Sequence, residues 1–401
     1  MKKRVVITGM GVVSPIGVGL SLFRKSLQEG FSGQAPIRQF DTTNHPVKNA
    51  FEVKNFEARK HGTHLLDPFI QFAVAAAGEA VQMSGVELNQ VDPYRSGISV
   101  SSSKGGVHTI DRFKERFSRS PSAILGARIY ANSVPNFGAQ WIARRWNVQG
   151  PARCYVAACA TGTVAIVEGA RMIEEGLVDY CIAGSSDASI TPLMLGGYRS
   201  MKALAKGAML PFDSRRSGFL VGEGAGIVLL ETHENAKARG AKIYGEILGS
   251  SYAFDGANLI HFQEKENGLY RALSELMKKT NAQPLDFGYL NLHGTATRVG
   301  DIYETNQIKK AFGAKAQQIP MSSTKSMTGH MLGAAGSVEI IASLVAMQEG
   351  FLPPTINLEK PDPQCDLDYV AKCSRAKKID RAISVSLGFG GHIAVIALGK
   401  G

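Results

Sequence analysis

Gly162–Val178 reads GTVAIVEGARMIEEGLV, and Gly336–Leu352 reads GSVEIIASLVAMQEGFL. Laid side by side, Gly162 meets Gly336, Val164 meets Val338, and Glu175-Gly176 meets Glu349-Gly350. Both segments are apolar almost all round, which is the pattern of a helix buried on every side. A second match sets GEGAGIVLL (Gly222–Leu230) against GFGGHIAVI (Gly388–Ile396). Either match alone could arise by chance. Helix, then Gly-rich turn and strand, recurring in the same order points to duplication. The expectation is two similar α/β halves whose central helices pack together at the middle.

Working outward, apolar strand-like runs alternate with helical ones. Strands are expected at Val5–Thr8, Gly97–Val100, Cys181–Gly184, Gly226–Glu231, Tyr289–Leu292, Ala382–Ser386 and Ala394–Leu398. Helices are expected at Pro68–Ser84, Gly162–Gly176, Glu234–Arg239, Glu266–Lys279, Asp301–Phe312 and Gly336–Gly350. Continuous apolar strands alternating with helices indicate a sheet covered on both faces. The first half is the longer, so residues from about 35 to 150 are read as containing an insertion. The boundary is placed near Gly240–Ile260, giving halves of 1–250 and 251–401.

The 401 residues are 44% hydrophobic and 20% charged, enough to bury a large core. The 45 Lys and Arg exceed the 34 Asp and Glu, a net charge of +11. This suits an acidic partner or simply a solvated basic surface. No basic run with interleaved aromatics stands out, which argues against nucleic acid. No apolar run approaches the roughly 18 residues of a membrane span. VVITGMGVV after Met1-Lys2-Lys3-Arg4 is broken by Thr8, Gly9 and Gly11, so it reads as a first strand rather than a signal peptide. Five cysteines without a CxxC pair make neither a disulfide scaffold nor a zinc site, and suit a reducing, cytoplasmic setting.

Four stretches could carry chemistry. In VAACATGTVAI, Cys159 precedes a buried helix, where unpaired N–H groups and the positive helix end favour a thiolate; the alternative is an inert buried thiol. Cys154 and Cys181 lie within strand-like runs and read as inert. In HGTATRVGDIYE, His293 stands at a strand's carboxyl end, where open α/β sheets place their sites. Thr295 and Thr297 can hydrogen-bond a polar ligand arm. Asp301 and Glu304 either serve the site or cap the following helix. SSTKSMTGHMLGAAGS puts Lys325 and His330 before the second buried helix, and GFGGHIAV offers a tight turn whose N–H groups can face an oxyanion.

Together these stretches resemble the elongating β-ketoacyl-acyl carrier protein synthases of the thiolase-like condensing-enzyme superfamily. The resemblance runs nearly end to end: RVVITGMGVVSPIG, the Cys159 segment, PFDSRRSGFLVGEGAGIVLLE, HGTATRVGDIYE, KSMTGHMLGAAG and GFGGH. It implies duplicated halves in α-β-α-β-α layers, and decarboxylative condensation of a malonyl thioester with a Cys-bound acyl chain. By the same resemblance, Cys159 is the nucleophile, and His293 and His330 bind the malonyl thioester and promote loss of CO₂. Lys325 supports them electrostatically, with Glu304 as its paired carboxylate. The N–H groups of Cys159 and Phe389 form the oxyanion hole, and Phe389 gates the nucleophile. Thr295 and Thr297 contact the phosphopantetheine arm.

The resemblance implies no metal or redox cofactor, since the substrates arrive on an acyl carrier protein. It implies a homodimer, or a heterodimer with a related subunit. Lys206 matches a basic position of the family, and with Arg144 and Arg145 it is expected to dock the carrier.

The alternative within the fold is a chain-length-factor-like partner subunit, which lacks the nucleophile that Cys159 supplies. An initiating synthase would carry a Cys-His-Asn set, and a thiolase a second cysteine near GFGGH.

The sequence departs from the family at substrate-facing segments. Val385 and Ile393 replace Asn, Leu210 precedes Pro-Phe-Asp, and KHGTHLLDPFI and AFDGANLIHF are unusual. In SVSSSKGGVHTI, Lys104 occupies a position commonly apolar or Gly. It extends to solvent, pairs with an acid of a neighbouring subunit, or alters the acyl pocket.

Overall fold

The computed structural model describes residues 3–120, 126–256, 258, 262 and 267–401. Each repeat builds a five-stranded mixed sheet. In the first half the order is Ala152–Arg153, Ser96–Ser101, Tyr180–Asp187, Gly224–Thr232, Val5–Ser14. In the second half it is Met321–Ser322, Tyr289–Asn291, Arg381–Gly388, His392–Gly399, Gly245–Phe254. In each, the first three strands run parallel and the last two antiparallel. The halves join where Val5–Ile7 pairs antiparallel with Gly245–Ile247. GEGAGIVLL and GFGGHIAVI thus lead into strands with the same place in their halves.

The layering follows from what each helix must bury. Thr161–Glu174 and Ala335–Glu349 pack on each other and on the inner sheet faces. Residues 335–347 of the second are buried without a break. Pro68–Ser84 covers the outer face of the first half and Gly268–Thr280 that of the second. The result is α-β-α-β-α, with one apolar core around the central helices and one under each outer layer. The repeated glycines set the central crossing. A Cβ on Gly162 would lie 2.6 Å from the Ser337 nitrogen, and one on Gly336 would lie 2.4 Å from Thr163 Oγ1. The pairing is reciprocal because Thr163 and Ser337 are themselves repeat equivalents. Their hydroxyls bond matching strand positions: Thr163 to Ser386 at 2.8 Å and Ser337 to Ser185 at 2.7 Å.

The expected elements are present within a few residues, and Pro68–Ser84 has its expected ends. Glu266, placed at a helix start, lies outside the described residues. Among the described residues six α-helices carried no expectation: Leu20–Glu29, Val107–Arg119, Arg128–Ser133, Phe137–Arg145, Pro192–Ser200 and the short Lys325–Thr328. Gly245–Phe254 falls in the stretch read as an inter-half boundary, yet it is a strand at the join, and a division at 250/251 would cut it. Its strand signal is weak because GEILGSSYAF is interrupted by glycines that make room for helices. A Cβ on Gly245 would sit 2.4 Å from Leu344 Cδ2, and one on Gly249 would sit 2.8 Å from Thr280 Cγ2.

Candidate active site

Cys159 lies in a single 3-10 turn, Ala158–Ala160, that runs directly into Thr161–Glu174. Ala158 is held at φ 47°, and its repeat equivalent Leu332 at φ 51°. Left-handed backbone at a non-Gly residue costs about 1–3 kcal/mol and is sustained by the packing around it. The strand end opposite fits closely: a Cβ on Gly388 would fall 2.6 Å from the Ala157 oxygen. That approach brings the Phe389 N–H to the side of the Cys159 sulfur, where it favours the thiolate. Gly390 and Gly391, at φ 84° and 86°, turn the chain back into His392–Gly399.

His330 Nε2 stands 3.1 Å from Cys159 Sγ, and the His293 ring lies edge-on to His330 at 5.4 Å. Backbone pairing fixes His330. Its N–H donates to Leu220 O at 2.9 Å, and its carbonyl accepts from Gly222 N at 2.9 Å. Phe219 packs edge-on against its ring at 5.0 Å. The PFDSRRSGFLVGEG stretch therefore shapes the site from behind His330, and its Arg215, Ser217, Gly218 and Phe219 reach the cavity wall. Its Arg216, 1% exposed, binds Asp362 Oδ2 at 2.6 Å and the Arg298 carbonyl at 2.8 Å.

Electrostatics keep these groups neutral at rest. Burial pushes the Cys159 thiol up to about 11, against pulls from Lys104, Lys325 and the Phe389 N–H. Burial also holds both His293 and His330 well below the ordinary imidazole value, helped by Lys325. The pair is a thiol beside a neutral imidazole, not a thiolate–imidazolium pair. Alkylation of Cys159 by iodoacetamide should therefore rise roughly tenfold per pH unit between pH 7 and pH 9. A rate already at its plateau by pH 7, read by peptide mass spectrometry, would contradict a neutral pair.

The carboxylate on Lys325 is Glu339, not Glu304. Lys325 and Glu339 are both buried and form an ion pair. Glu304 instead accepts from the N–H groups of His293 at 2.7 Å and Gly294 at 2.8 Å, and so orients the His293 loop. Glu339 is the one carboxylate inside the apolar body of Ala335–Glu349, whose last residue is Glu349, and only folding brings it to Lys325. Asp301 lines the cavity, but its carboxylate accepts from Phe212 N at 2.8 Å and faces Arg216 Nε at 3.5 Å.

A cavity of about 900 Å³ opens on Cys159, His293, His330 and Phe389, with Thr295 and Thr297 on its wall. The two threonine hydroxyls lie 3.2 Å apart. Its wall also carries Lys206, together with Lys202, Arg215 and Arg298, which the sequence reading did not single out. Arg144 and Arg145 end the helix Phe137–Arg145 and are not among the lining residues; Arg145 donates to the His61 carbonyl at 2.7 Å. Lys104 is half-buried in the turn after Ser96–Ser101 and is not among the lining residues either. Leu210 lines the cavity, and Val385 and Ile393 pack in the second half's outer core. Much of AFDGANLIHF lies outside the described residues.

A cysteine at a helix start and two neutral histidines around one cavity, with a buried lysine behind them, define the site of a thiolase-like condensing enzyme. Residues 2–236 match the N-terminal domain of β-ketoacyl synthases and residues 244–359 the C-terminal domain, and the chain belongs to that family. A 3-oxoacyl-[acyl-carrier-protein] synthase 2 of Synechocystis sp. is 39% identical, over 100% of this chain and 98% of the relative. The ishigamide ketosynthase/chain length factor superposes with a TM-score of 0.95 at 30% identity, covering 100% of both chains. A type II polyketide ketosynthase solved with its acyl-carrier protein and bound to the hexaketide, AntDE:AntF, has a TM-score of 0.91 at 28% identity, again covering 100% of both chains.

Proposed function

We propose that this protein is a β-ketoacyl-acyl carrier protein synthase, an enzyme that joins a Cys159-bound acyl chain to the carbon unit left when a malonyl thioester loses CO₂. The observation that carries the reading is Cys159 Sγ at 3.1 Å from His330 Nε2.

In the first half-reaction the thiol proton passes to His330 as sulfur attacks the acyl thioester. The carbonyl oxygen becomes an oxyanion held by the N–H groups of Cys159 and Phe389. The carrier thiolate leaves and takes that proton, so acyl-S-carrier and Cys-SH become acyl-S-Cys and carrier-SH. In the second, malonyl carboxylate departs as CO₂ and leaves an enolate. His293, and His330 once it has exchanged to the tautomer with its proton on Nε2, each donate one N–H to the enolate oxygen. The enolate carbon then attacks the acyl-Cys carbonyl. The Cys159 thiolate leaves and is reprotonated from solvent. Holding one partner covalently makes this bond formation intramolecular. The Lys325–Glu339 pair supplies a fixed positive field beside both imidazoles, and Thr295 and Thr297 hold the phosphopantetheine arm. The chemistry calls for no cofactor.

A chain-length-factor role, which needs no nucleophile, fits less well with this arrangement around Cys159. The chain divides into a nucleophile half and a histidine half, with the break in the connection 233–244 after Gly224–Thr232. The assembly is a homodimer, or a heterodimer with a related subunit as in the ketosynthase and chain-length-factor complexes among its structural relatives. No described helix is long and apolar enough to cross a membrane, and the protein works in the cytoplasm. An acidic carrier docks at the cavity mouth on Lys206, joined by Lys202 and Arg298, with Arg144 and Arg145 more distant contributors.

The test is to incubate the protein with acyl and malonyl carrier proteins and to weigh both the β-ketoacyl product and the Cys159 adduct. Carrier KM should rise with salt, because exposed charges are screened over about 10 Å at 0.1 M. Absence of both product and adduct would overturn the reading. A KM flat from low to moderate salt would remove the electrostatic docking.

A further inference from the structure

The duplication leaves a copy of the nucleophile turn in the second half. Ala158 and Leu332 are equivalents, both with left-handed backbone, so the residue that matches Cys159 is Gly333. The turn Ala158–Ala160 packs on the strand Arg381–Gly388, and the turn Leu332–Ala334 packs on the strand Tyr180–Asp187. Ser386 and Ser185 hold matching places in these two strands, so Asp187 matches Gly388. The two halves fill that place differently. Gly388 brings no side chain to the Cys159 turn, whereas Asp187 brings a carboxylate to the Gly333 turn.

That carboxylate is fully buried, and both its oxygens are engaged. Oδ2 accepts the Gly333 N–H at 2.7 Å and the Ser103 hydroxyl. Oδ1 accepts the Ser102 hydroxyl at 2.6 Å and the Ser103 N–H at 3.1 Å. Ser185 Oγ donates to the Gly333 carbonyl at 2.8 Å, so one strand holds both polar groups of Gly333. A Cβ on Gly333 would fall 2.6 Å from Asp187 Oδ2 and 2.7 Å from Ser103 Cβ, which leaves no room for a second nucleophile. Burial pushes the Asp187 carboxyl up, and the two serine hydroxyls, the Lys104 ammonium and the Gly333 N–H draw it back. A buried carboxylate satisfied on both oxygens holds its donors rigidly. The Gly333 N–H is the counterpart of the Cys159 N–H that faces the oxyanion. In the second half a resident carboxylate stands where that oxyanion would be.

What it holds is the loop of His330. Leu220 and Gly222 fix the backbone of His330 itself. Just beyond, the chain passes through Leu332 at φ 51° and Gly333 before entering Ala335–Glu349. Such a turn persists only with support from its surroundings, and Asp187 and Ser185 supply it. We propose that Asp187 is a positioning residue for His330: its carboxylate, seated on the Gly333 N–H, locks the turn that sets His330 Nε2 against Cys159 Sγ. This rests on the condensing reading above, in which His330 takes the thiol proton.

The experiment follows loading of Cys159 from octanoyl pantetheine thioester by intact-protein mass spectrometry. It compares wild type, His330→Ala and His293→Ala, each with and without Asp187→Asn. The amide keeps one acceptor oxygen, but its NH₂ then meets the N–H of Gly333 or the donors of the serines. Asp187→Asn should slow loading about tenfold in the wild type and in His293→Ala, because a small misplacement of the proton acceptor is costly. In His330→Ala it should change the rate by less than about twofold, since the group it positions is gone. A merely structural role would act alike in all three backgrounds. Ser185→Ala is a smaller deletion and serves where Asp187→Asn does not fold; it should show the same pattern with a loss of about threefold. Equal losses in wild type and His330→Ala, or no loss in the variant used, would overturn the inference while leaving the condensing reading intact. Failure of the wild type to load would overturn that reading and this inference with it.

Discussion

Cys159→Ala should lower β-ketoacyl product by at least about a thousandfold while leaving the fold unchanged. The sulfur is the nucleophile that His330 serves, so its loss removes the covalent intermediate rather than weakening it. The fold should survive because the side chain sits in a turn already built from alanines, Ala157, Ala158 and Ala160, and the atom removed is small. The variant has a second expected property. His293, His330 and the Lys325–Glu339 pair remain, so CO₂ release from malonyl carrier should persist without condensation. Product near the wild-type rate would sink the nucleophile assignment. Loss of both activities together with native circular dichroism would mean that acylation and decarboxylation share more than the cavity.

His330→Ala should lower CO₂ release by on the order of 100-fold or more, since one of two donors to the enolate oxygen disappears. It should also slow acylation of Cys159, because Nε2 at 3.1 Å is the acceptor for the thiol proton. His293→Ala should strike decarboxylation alike but spare acylation, since its ring contacts His330 and is held by its own loop through Glu304. The two variants therefore separate on one measurement, acyl loading at Cys159, that a general loss of structure would affect equally. Unchanged CO₂ release in His330→Ala would remove it from the decarboxylation step.

Lys325 was legible as a charged residue in a Gly- and Ser-rich stretch, but its carboxylate was misassigned for a physical reason. Glu304 and Glu339 are both far from it along the chain, and sequence spacing cannot tell which of two buried acids a lysine will meet. Each acid answers a different unmet need. Glu304 satisfies two orphan N–H groups of the His293 loop, and Glu339 neutralises an ammonium that would otherwise be buried alone.

What the sequence by itself determined is whatever is written locally and twice. The apolar, Gly-started helices 162–178 and 336–352, the strands that alternate with them and the small-residue collar around Cys159 follow from period, composition and repetition. The tertiary structure alone decided which distant groups meet. It placed Gly245–Phe254, punctured by glycines for the helices beside it, at the seam between the halves. It set His330 against Cys159 through a bridge to Val221, and it gave Lys325 to Glu339. The reason is range. Helix and strand propensities act over a few residues, whereas the pairing of buried charges and donors depends on which surfaces the completed core forces together.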